Sequence, residues 1–303
     1  MDIEILLPYY GDPGLLRETV DSVLAQDDPG WKLVVIDDAF PDPTAAAWIG
    51  ELEDERVTYL RNPVNLGISG AFQRCLDLAT EDWIVIMGCD DRMLPNFVSR
   101  MREGISSHPD VAYLQPGVRV IDDAGKPSLP LPDRLKDHYR FSVSTPTVFG
   151  GRQLTESLLR GNWMYFPATC WRREVVVRYG FQLVYEVVLD LHLQLQILAD
   201  GGTMLLDPEV TFEYRRHAAS VSSFTAHDAT RFQEEKRFFA QTRQDVLARG
   251  WTRAARIARL HLSSRLHALA RLPGTLLARD LGGARELVRH ALTNRLVDVD
   301  RRH

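Results

Sequence analysis

Short apolar runs alternate with segments of helical period over about the first ninety residues, and this alternation limits the possible folds more than any other feature. The apolar runs cover residues 3–7, 33–36, 57–60 and 83–87, and the helical segments cover residues 13–24, 43–54 and 68–79. Strands that are apolar along their whole length are buried on both faces, which is typical of a parallel sheet with helices on each side. We therefore predict an α/β fold with a Rossmann-like, mostly parallel sheet.

The alternation weakens after residue 110. The predicted elements beyond it are one or two strands over 111–120, a long loop over 125–150, a helix over 186–200 and one or two strands over 203–216. Long loops in compact domains often serve as lids or binding loops, so residues 125–150 are a candidate lid. From residue 228 the chain is rich in helix formers, with helix breaks expected at Gly250 and at Pro273-Gly274.

Charge divides the chain near residue 227. Residues 228–303 contain 16 Lys and Arg against 8 Asp and Glu, a net charge of +8, whereas residues 1–227 carry a net charge of −13. Such asymmetry indicates two parts with different roles, and the acidic part argues against general binding of nucleic acid. We therefore predict a body over residues 1–227 and a basic helical extension over residues 228–303.

The basic extension contains one amphipathic segment, over residues 253–272. Five apolar positions recur there at near-helical intervals beside arginines: Ile257, Leu260, Leu262, Leu266 and Leu269. Such a helix can pack on the acidic body, form a homodimer or lie on an anionic membrane surface. Packing is the commonest of these fates, and the sequence leaves all three open.

The location of the protein follows from what the sequence does not contain. No apolar stretch reaches the roughly 18 residues that a membrane span requires. The N-terminus is acidic and Pro8 interrupts its first apolar run, which does not fit a signal peptide. Cys75, Cys89 and Cys170 are too widely spaced for a zinc site or a disulfide framework. We therefore expect a cytoplasmic protein.

Polar residues follow three of the predicted strands. The runs are Pro8-Tyr9-Tyr10, Asp37-Asp38 and Gly88-Cys89-Asp90-Asp91. In an open parallel sheet, ligands bind in the crevice at the carboxyl ends of the strands. Two neighbouring carboxylate pairs repel each other unless a cation or hydrogen-bond donors lie between them. A single Asp-Asp pair often makes only a turn, but two pairs in matching positions favour a site for Mg²⁺ or Mn²⁺.

Five segments, in this order and spacing, give the sequence a resemblance to a known family. They are ILLPYY over 5–10, ETVDSVLAQ over 18–26, VVIDD over 34–38, NLGISGA over 65–71 and IMGCDDRMLP over 86–95. Together they resemble family 2 of the glycosyltransferases. The resemblance implies a GT-A fold and inverting transfer of a sugar from a UDP- or dTDP-sugar to an acceptor hydroxyl, with Mg²⁺ or Mn²⁺. It leaves open whether the acceptor is a glycan, a lipid-linked molecule or a small molecule.

The resemblance also implies which residues form the donor site. The candidates for nucleotide-sugar binding are Pro8, Tyr10, Asp38, Asn65, Gly67 and Asp90, and those for the metal are Asp90, Asp91 and His217. Within this set, Tyr10 would stack on the base, Asp38 would accept its N3–H, and Asn65 and Gly67 would shape the surrounding loop. Gly88 departs from the family, which often has a first Asp there, so the residue that binds the metal is left open.

The resemblance also implies a general base, for which the sequence offers three candidates. The best match is Asp190, but the Glu-Asp pair that the family usually has a few residues earlier is replaced by apolar residues such as Val187 and Val188. Glu186 and His192 therefore compete with Asp190 for this role. Arg215 and Arg216, which precede His217, would neutralise the diphosphate.

The implied organisation is a GT-A catalytic domain over residues 1–227, followed by the basic helical extension. Residues 1–110 would form its nucleotide-sugar and metal half, and residues 111–227 its acceptor half. Two alternatives are a catalytically inactive nucleotide-sugar binding protein and a sugar-1-phosphate nucleotidyltransferase. The nucleotidyltransferase requires a Gly-rich loop and a Lys after the first strand, which this sequence lacks. Contact of the basic extension with the inner membrane face is a further expectation.

Overall fold

The computed structural model describes residues 1–216 and 229–292. The strands are β1 Ile3–Tyr9, β2 Trp31–Asp37, β3 Val57–Arg61, β4 Trp83–Ile86, β5 Arg92–Met93, β6 Tyr113–Ile121, β7 Thr147–Gly150, β8 Cys170–Arg172 and β9 Thr203–Arg215. The helices of residues 1–216 are α1 Pro13–Leu24, α2 Thr44–Gly50, α3 Gly67–Leu78, α4 Phe97–Ser107, α5 Leu131–Tyr139, α6 Gly151–Arg160, α7 Arg173–Tyr179 and α8 Leu189–Ala199. Those of residues 229–292 are α9 Ala229–Ala248, α10 Thr252–Leu260, α11 Leu262–Leu277 and α12 Leu281–Leu292.

The strands form one mixed sheet, in the order β3-β2-β1-β4-β8-β6-β9-β5, with β7 paired to β9. The first four strands in that order are parallel to one another. The predicted strand–helix alternation and the mostly parallel sheet over the first half of the chain are therefore confirmed. Beyond β4, the short strand β8 runs antiparallel to both of its neighbours.

Strand β9 organises the second half of the sheet. It runs parallel to β6 and, along its other edge, pairs antiparallel with β7 near its start and with β5 near its end. The register between β6 and β9 shifts at Gly117, where a Cβ atom would lie only 2.6 Å from the carbonyl oxygen of Glu209. A glycine is therefore required where the two backbones approach each other. The shift lets β9 reach the Asp90-Asp91 turn.

The hydrophobic core lies on both faces of the sheet, as predicted for strands buried on each side. Helices α1, α2 and α4 contribute Leu16, Trp48 and Phe97 to one face. The other face is covered by α3, α6 and α8, and also by α9 and α10, whose Phe238 and Ala254 belong to the same cluster. Helices α9 and α10 thus pack against the body. The predicted boundary at residue 227 lies outside the described residues.

The prediction of a long loop over residues 125–150 is wrong. The segment contains helix α5 and strand β7. Helix α5 has no apolar stripe to reveal it, since its one buried side chain is Asp133, while Leu131 and Leu135 are 68% and 50% exposed. Polar contacts with distant segments hold the helix, and local hydrophobic periodicity does not register such contacts.

The predicted break at Gly250 is confirmed, but the one at Pro273-Gly274 is not. Pro273 lies inside α11, which continues to Leu277 although Pro273 has no N–H to donate to the carbonyl of Leu269. The interruption occurs instead at His261, whose φ is 31°, so that the amphipathic segment 253–272 forms parts of two helices. None of the described helices is long and apolar enough to cross a bilayer.

Candidate active site

The carboxyl ends of β1, β2 and β4 bring the predicted donor residues to one edge of the sheet. Tyr9 pairs with Asp37, and the Tyr9 carbonyl accepts the backbone N–H of Asp38 at 2.8 Å. Pro8, one residue earlier, is partly buried in β1. Tyr10 is 53% exposed, and its ring meets the edge of Phe40 with centroids 5.2 Å apart. An exposed aromatic face at a strand end is available for stacking.

The carboxylate of Asp38 holds the turn that precedes α3. It accepts hydrogen bonds from Asn62 Nδ2 at 2.8 Å and from the backbone N–H groups of Leu66 and Gly67 at 2.9 and 3.1 Å. The side chain of Asn65 accepts the N–H of Gly67 at 2.9 Å, and Gly67 has a φ of 67°, which favours glycine. Asp38, Asn65 and Gly67 therefore form one unit. Because the Leu66 N–H is shared between Oδ1 and Oδ2, the three donors make four hydrogen bonds, about as many as the carboxylate can accept.

The turn after β4 places two carboxylates side by side. Asp91 is 1% exposed, and its Oδ1 accepts the backbone N–H of Arg215 at 2.8 Å. Its Oδ2 is buried and has no hydrogen-bond partner among the described residues. Burial and the charge of Asp90 raise the pKa of Asp91 well above its usual value, against the opposing effect of Arg215. The charges of Arg215 and Arg216 therefore offset the burial of Asp91 only in part, and within residues 1–216 and 229–292 no donor reaches its Oδ2 atom.

Gly88 gives these two carboxylates the space that they occupy. A Cβ atom at Gly88 would lie 2.7 Å from Asp91 Oδ2 and 2.9 Å from Asp90 Oδ1. An aspartate at this position, as in the commoner family pattern, would require the pair to move. The glycine that departs from the family pattern is therefore the residue that leaves room for the carboxylates of Asp90 and Asp91 to lie close together.

The side chain of Arg215 stabilises the backbone of the Asp90-Asp91 turn. This side chain is buried and donates from Nε to the Asp90 carbonyl at 2.7 Å, from Nη1 to the Asp123 carbonyl at 3.0 Å, and from Nη2 to Glu18 at 2.6 Å. Thr19, next to Glu18 in α1, donates to the Asp91 carbonyl at 2.8 Å. Because these contacts lie within the protein, the guanidinium of Arg215 positions the turn and does not point to a diphosphate.

The pair of carboxylates fits a divalent cation. A hard cation prefers carboxylate oxygens, and here it would meet the unpaired Asp91 Oδ2 and relieve the repulsion from Asp90. Across residues 1–216 and 229–292, no group of three or more His, Cys, Asp and Glu side chains is arranged to hold a metal ion. The third predicted ligand, His217, lies outside those ranges.

Asp190 lies in the first turn of α8, where its partly buried carboxylate accepts a hydrogen bond from Asn162 Nδ2 at 2.8 Å. Burial raises the pKa of Asp190, and the bond from Asn162, the nearby backbone N–H groups and the charge of Lys136 oppose this rise. A carboxylate with a raised pKa and a fixed orientation is suited to accept a proton.

Lys136, on α5, is a site residue that the sequence did not reveal. Its ammonium donates to the Met164 carbonyl at 2.9 Å and lies 4.0 Å above the ring of Tyr165. Burial, followed by the charge of Arg216, lowers the pKa of Lys136 to about 8, although Asp133 and Asp190 oppose this change. No motif marks Lys136, because only the unpredicted helix α5 brings it to the site.

The neighbours of Lys136 continue this polar network towards the end of β9. Asp133 is fully buried and accepts the hydroxyl of Tyr165 at 2.9 Å. It also accepts two hydrogen bonds from the Arg216 guanidinium, each of 3.1 Å. Helix α5 is thereby fixed to the residue that follows Arg215.

The two rival bases occupy different surroundings. Glu186 is exposed, and its backbone N–H, with those of Val187 and Val188, donates to Glu234 of α9 at 3.1, 2.7 and 3.0 Å. His192 is partly buried, with its ring centroid 4.9 Å from that of Tyr185, and burial lowers its pKa. Two residues along a helix turn the side chain by about 200°, so His192 lies on the face of α8 opposite Asp190.

The fold is shared with solved glycosyltransferases of the GT-A type. The structure of S. aureus TarS 1-349 in complex with UDP-GlcNAc is similar with a TM-score of 0.67, at 12% sequence identity, over 96% of this chain and 79% of that one. The mannosyltransferase PcManGT from Pyrobaculum calidifontis, in complex with GDP-Man and Mn²⁺, is similar with a TM-score of 0.59, at 18% identity, over 96% of this chain and 86% of that one. The predicted GT-A fold with a C-terminal helical region is confirmed.

Curated relatives point the same way. The putative glycosyltransferase EpsE of Bacillus subtilis (strain 168) is 26% identical over 139 residues, which are 43% of this chain and 50% of EpsE. The succinoglycan biosynthesis protein ExoW of Rhizobium meliloti (strain 1021) is 36% identical over 99 residues, or 31% of each chain. The matched segments thus span half or less of the length of these two relatives.

Residues 4–168 match the family model described as glycosyl transferase family 2. The chain belongs to this family, as its five motifs predicted. The family and the GT-A fold together support glycosyltransferase function.

The repulsion at the Asp90-Asp91 turn leads to a prediction about stability. An acid with a raised pKa in the folded state destabilises the fold as the pH rises above the unfolded-state pKa. Asp91→Asn removes that charge and keeps an acceptor for the Arg215 N–H. Without divalent cations at neutral pH, we expect its melting temperature to exceed that of the wild type, on the order of 2–4 °C for each kcal/mol.

The control is Asp77→Asn, which removes an exposed carboxylate of α3 and should leave the melting temperature unchanged. Differential scanning calorimetry in the presence of a chelator measures both variants. A lower melting temperature for Asp91→Asn than for the wild type would contradict the repulsion.

Proposed function

We propose that this protein is an inverting glycosyltransferase that moves a sugar from a UDP- or dTDP-sugar to an acceptor hydroxyl, with Mg²⁺ or Mn²⁺. The observation that carries the proposal is the buried Oδ2 of Asp91, which has no hydrogen-bond partner in the described ranges and lies at the same sheet edge as Tyr10 and Asp38. A cation and a nucleotide diphosphate complement such an edge.

The nucleotide base of the donor, uracil or thymine, would lie between Tyr10 and Asp38. Tyr10 offers an exposed ring for stacking. Asp38 would accept N3–H of uracil or thymine in exchange for its second, shared contact with the Leu66 N–H. Pro8, Asn65 and Gly67 would line the same pocket. Solved structures with this fold are complexes with UDP-GlcNAc and with GDP-Man. This supports a nucleotide-sugar donor and leaves the identity of the sugar open.

The cation would be held by Asp90 and Asp91, with His217 as the expected third ligand. Asp90 is the more accessible of the two aspartates, so it would also meet the donor. When bound, the cation supplies positive charge that stabilises the departing diphosphate. Gly88 keeps the space for both carboxylates free, and Arg215 fixes the backbone that carries them.

Asp190 would act as the general base. In inverting transfer, a base takes the proton of the acceptor hydroxyl as its oxygen attacks the anomeric carbon. Asn162 holds one carboxylate oxygen of Asp190, so the other remains for that proton. The exposure of Glu186 and the orientation of His192 towards Tyr185 favour Asp190 over both.

The remaining assignments follow from this function. Residues 1–110 would bind the donor and the cation, and residues 111–227 would bind the acceptor, with α5 beside the base. A glycan, a lipid-linked molecule or a small molecule can each supply the acceptor hydroxyl. A cytoplasmic location, where nucleotide sugars are made, completes the proposal.

A thermal-shift panel tests donor binding. UDP, dTDP, GDP and CDP are each added with Mn²⁺, with Mg²⁺ or with a chelator. We expect UDP or dTDP to raise the melting temperature only with a cation, by an amount that grows with ligand concentration. Asp90→Asn should abolish the cation-dependent part, whereas Asp77→Asn should keep it.

If no nucleotide shifts the melting temperature with any cation, the donor site is refuted. If a nucleotide binds but the matching nucleotide sugar is never consumed, the inactive binding protein replaces the enzyme. Release of UDP or dTDP, measured with a coupled assay, separates these two results.

Lys136 leads to a prediction about pH. Its ammonium favours the ionised form of Asp190, so Lys136→Met should raise the pKa of the base and move the acidic limb of the kcat profile to higher pH. Lys136→Arg, which keeps the charge, should restore the position of that limb. An unchanged acidic limb in Lys136→Met would show that the ammonium does not influence the base.

A further inference from the structure

Helix α11 exposes a row of leucines on its outer face. Its buried residues are Ser264 and Ala268, and the opposite face carries five leucines that are 43% to 86% exposed: Leu262, Leu266, Leu269, Leu276 and Leu277. At 100° per residue these five lie within an arc of about 100°, and the only other residue on that arc is Pro273. We call this arc the leucine face. No charged residue of α11 lies on it.

The leucine face reverses the usual pattern of a surface helix, which turns its apolar side inward and its charges to solvent. The inward side of α11 packs through Ala268 against Phe232, Leu287 and Ala291. Helix α12 exposes two further leucines, Leu281 at 74% and Leu292 at 70%. Among the described residues, no element covers these leucines.

The helices around the leucine face are rich in positive charge along the sequence. Residues 252–292 contain eight arginines and two acidic residues. Arg279 and Arg285 are exposed at the start of the α11–α12 turn and on α12. The remainder of the chain is acidic, with a net charge of −13 over residues 1–227. An anionic surface therefore attracts this end of the molecule and repels the rest, which fixes the orientation of approach.

An exposed apolar stripe flanked by arginines is what an anionic bilayer binds. Leucines enter the boundary between headgroups and acyl chains, while arginines pair with lipid phosphates. A second copy of this chain fits less well, because facing leucine faces would bring the arginines of both copies together.

We propose that α11 and α12 dock the protein on the surface of an anionic lipid bilayer, with the leucine face of α11 inserted parallel to the membrane. This interaction is independent of the donor, the cation and the base assigned above. It would keep the enzyme next to acceptors carried by lipids.

Vesicle flotation of the full-length chain tests the proposal. We expect the wild type to float with vesicles of equimolar phosphatidylcholine and phosphatidylglycerol, and not with phosphatidylcholine alone. Leu266→Glu combined with Leu269→Glu should lower the bound fraction on the order of tenfold. Arg279→Gln combined with Arg285→Gln should weaken binding and its dependence on salt. Because all four side chains are solvent-exposed or at the surface, these variants should fold, and thermal unfolding checks this.

The matched control is Val177→Glu combined with Val184→Glu, which adds the same two negative charges at apolar positions that are 49% and 69% exposed. It should float like the wild type. Equal binding of the leucine variant and the wild type, or no binding of the wild type, would overturn the proposal. So would a dimer in sedimentation velocity that the leucine variant loses, since it would assign the face to a second copy. A failed donor test would leave the flotation result unaffected.

Discussion

The buried guanidinium of Arg215 is the contact on which the geometry of the site depends. It joins the end of β9 to the turn that carries Asp90, to Glu18 of α1 and to the turn after β6. A buried cation needs such a full set of acceptors, since leaving it unpaired costs about 3–5 kcal/mol. The Asp90-Asp91 turn must therefore lie beside the end of β9, and these contacts hold the first half of the sheet and the end of β9 in one arrangement.

The contacts of Arg215 fix the backbone of the Asp90-Asp91 turn, but they do not neutralise its two carboxylates. The Oδ2 atom of Asp91 is buried without a hydrogen-bond partner in the part of the chain that the structure describes, and burial together with the charge of Asp90 raises the pKa of Asp91. The site thus keeps a local repulsion that a divalent cation would relieve. Thr19 and the Arg215 side chain fix the backbone of Asp91 and Asp90, and the Arg215 N–H holds the carboxylate of Asp91 through its Oδ1 atom.

The positions of the candidate donor-binding residues were predictable from the sequence, because short local patterns mark the strands that carry them. Each strand end is marked by a short apolar run followed by polar residues, and parallel strands bring such ends to one edge. The surroundings of Asp190, the proposed general base, were predictable only in part. Asp190 follows from a family motif, but Lys136 and Asp133 lie on α5, a helix without an apolar stripe that is held by Tyr165 and Arg216. Contacts between residues so far apart in sequence leave no periodic signal.

The stereochemistry of transfer tests the account most directly. Direct attack by a hydroxyl deprotonated by Asp190 inverts the anomeric carbon, and water can take the place of the acceptor in slow hydrolysis of the donor. Proton NMR of the first sugar released from an α-linked nucleotide sugar should show the β-anomer before mutarotation, and Asp190→Asn should suppress its formation. Initial release of the α-anomer, or an undiminished rate in Asp190→Asn, would contradict single displacement with Asp190 as the base.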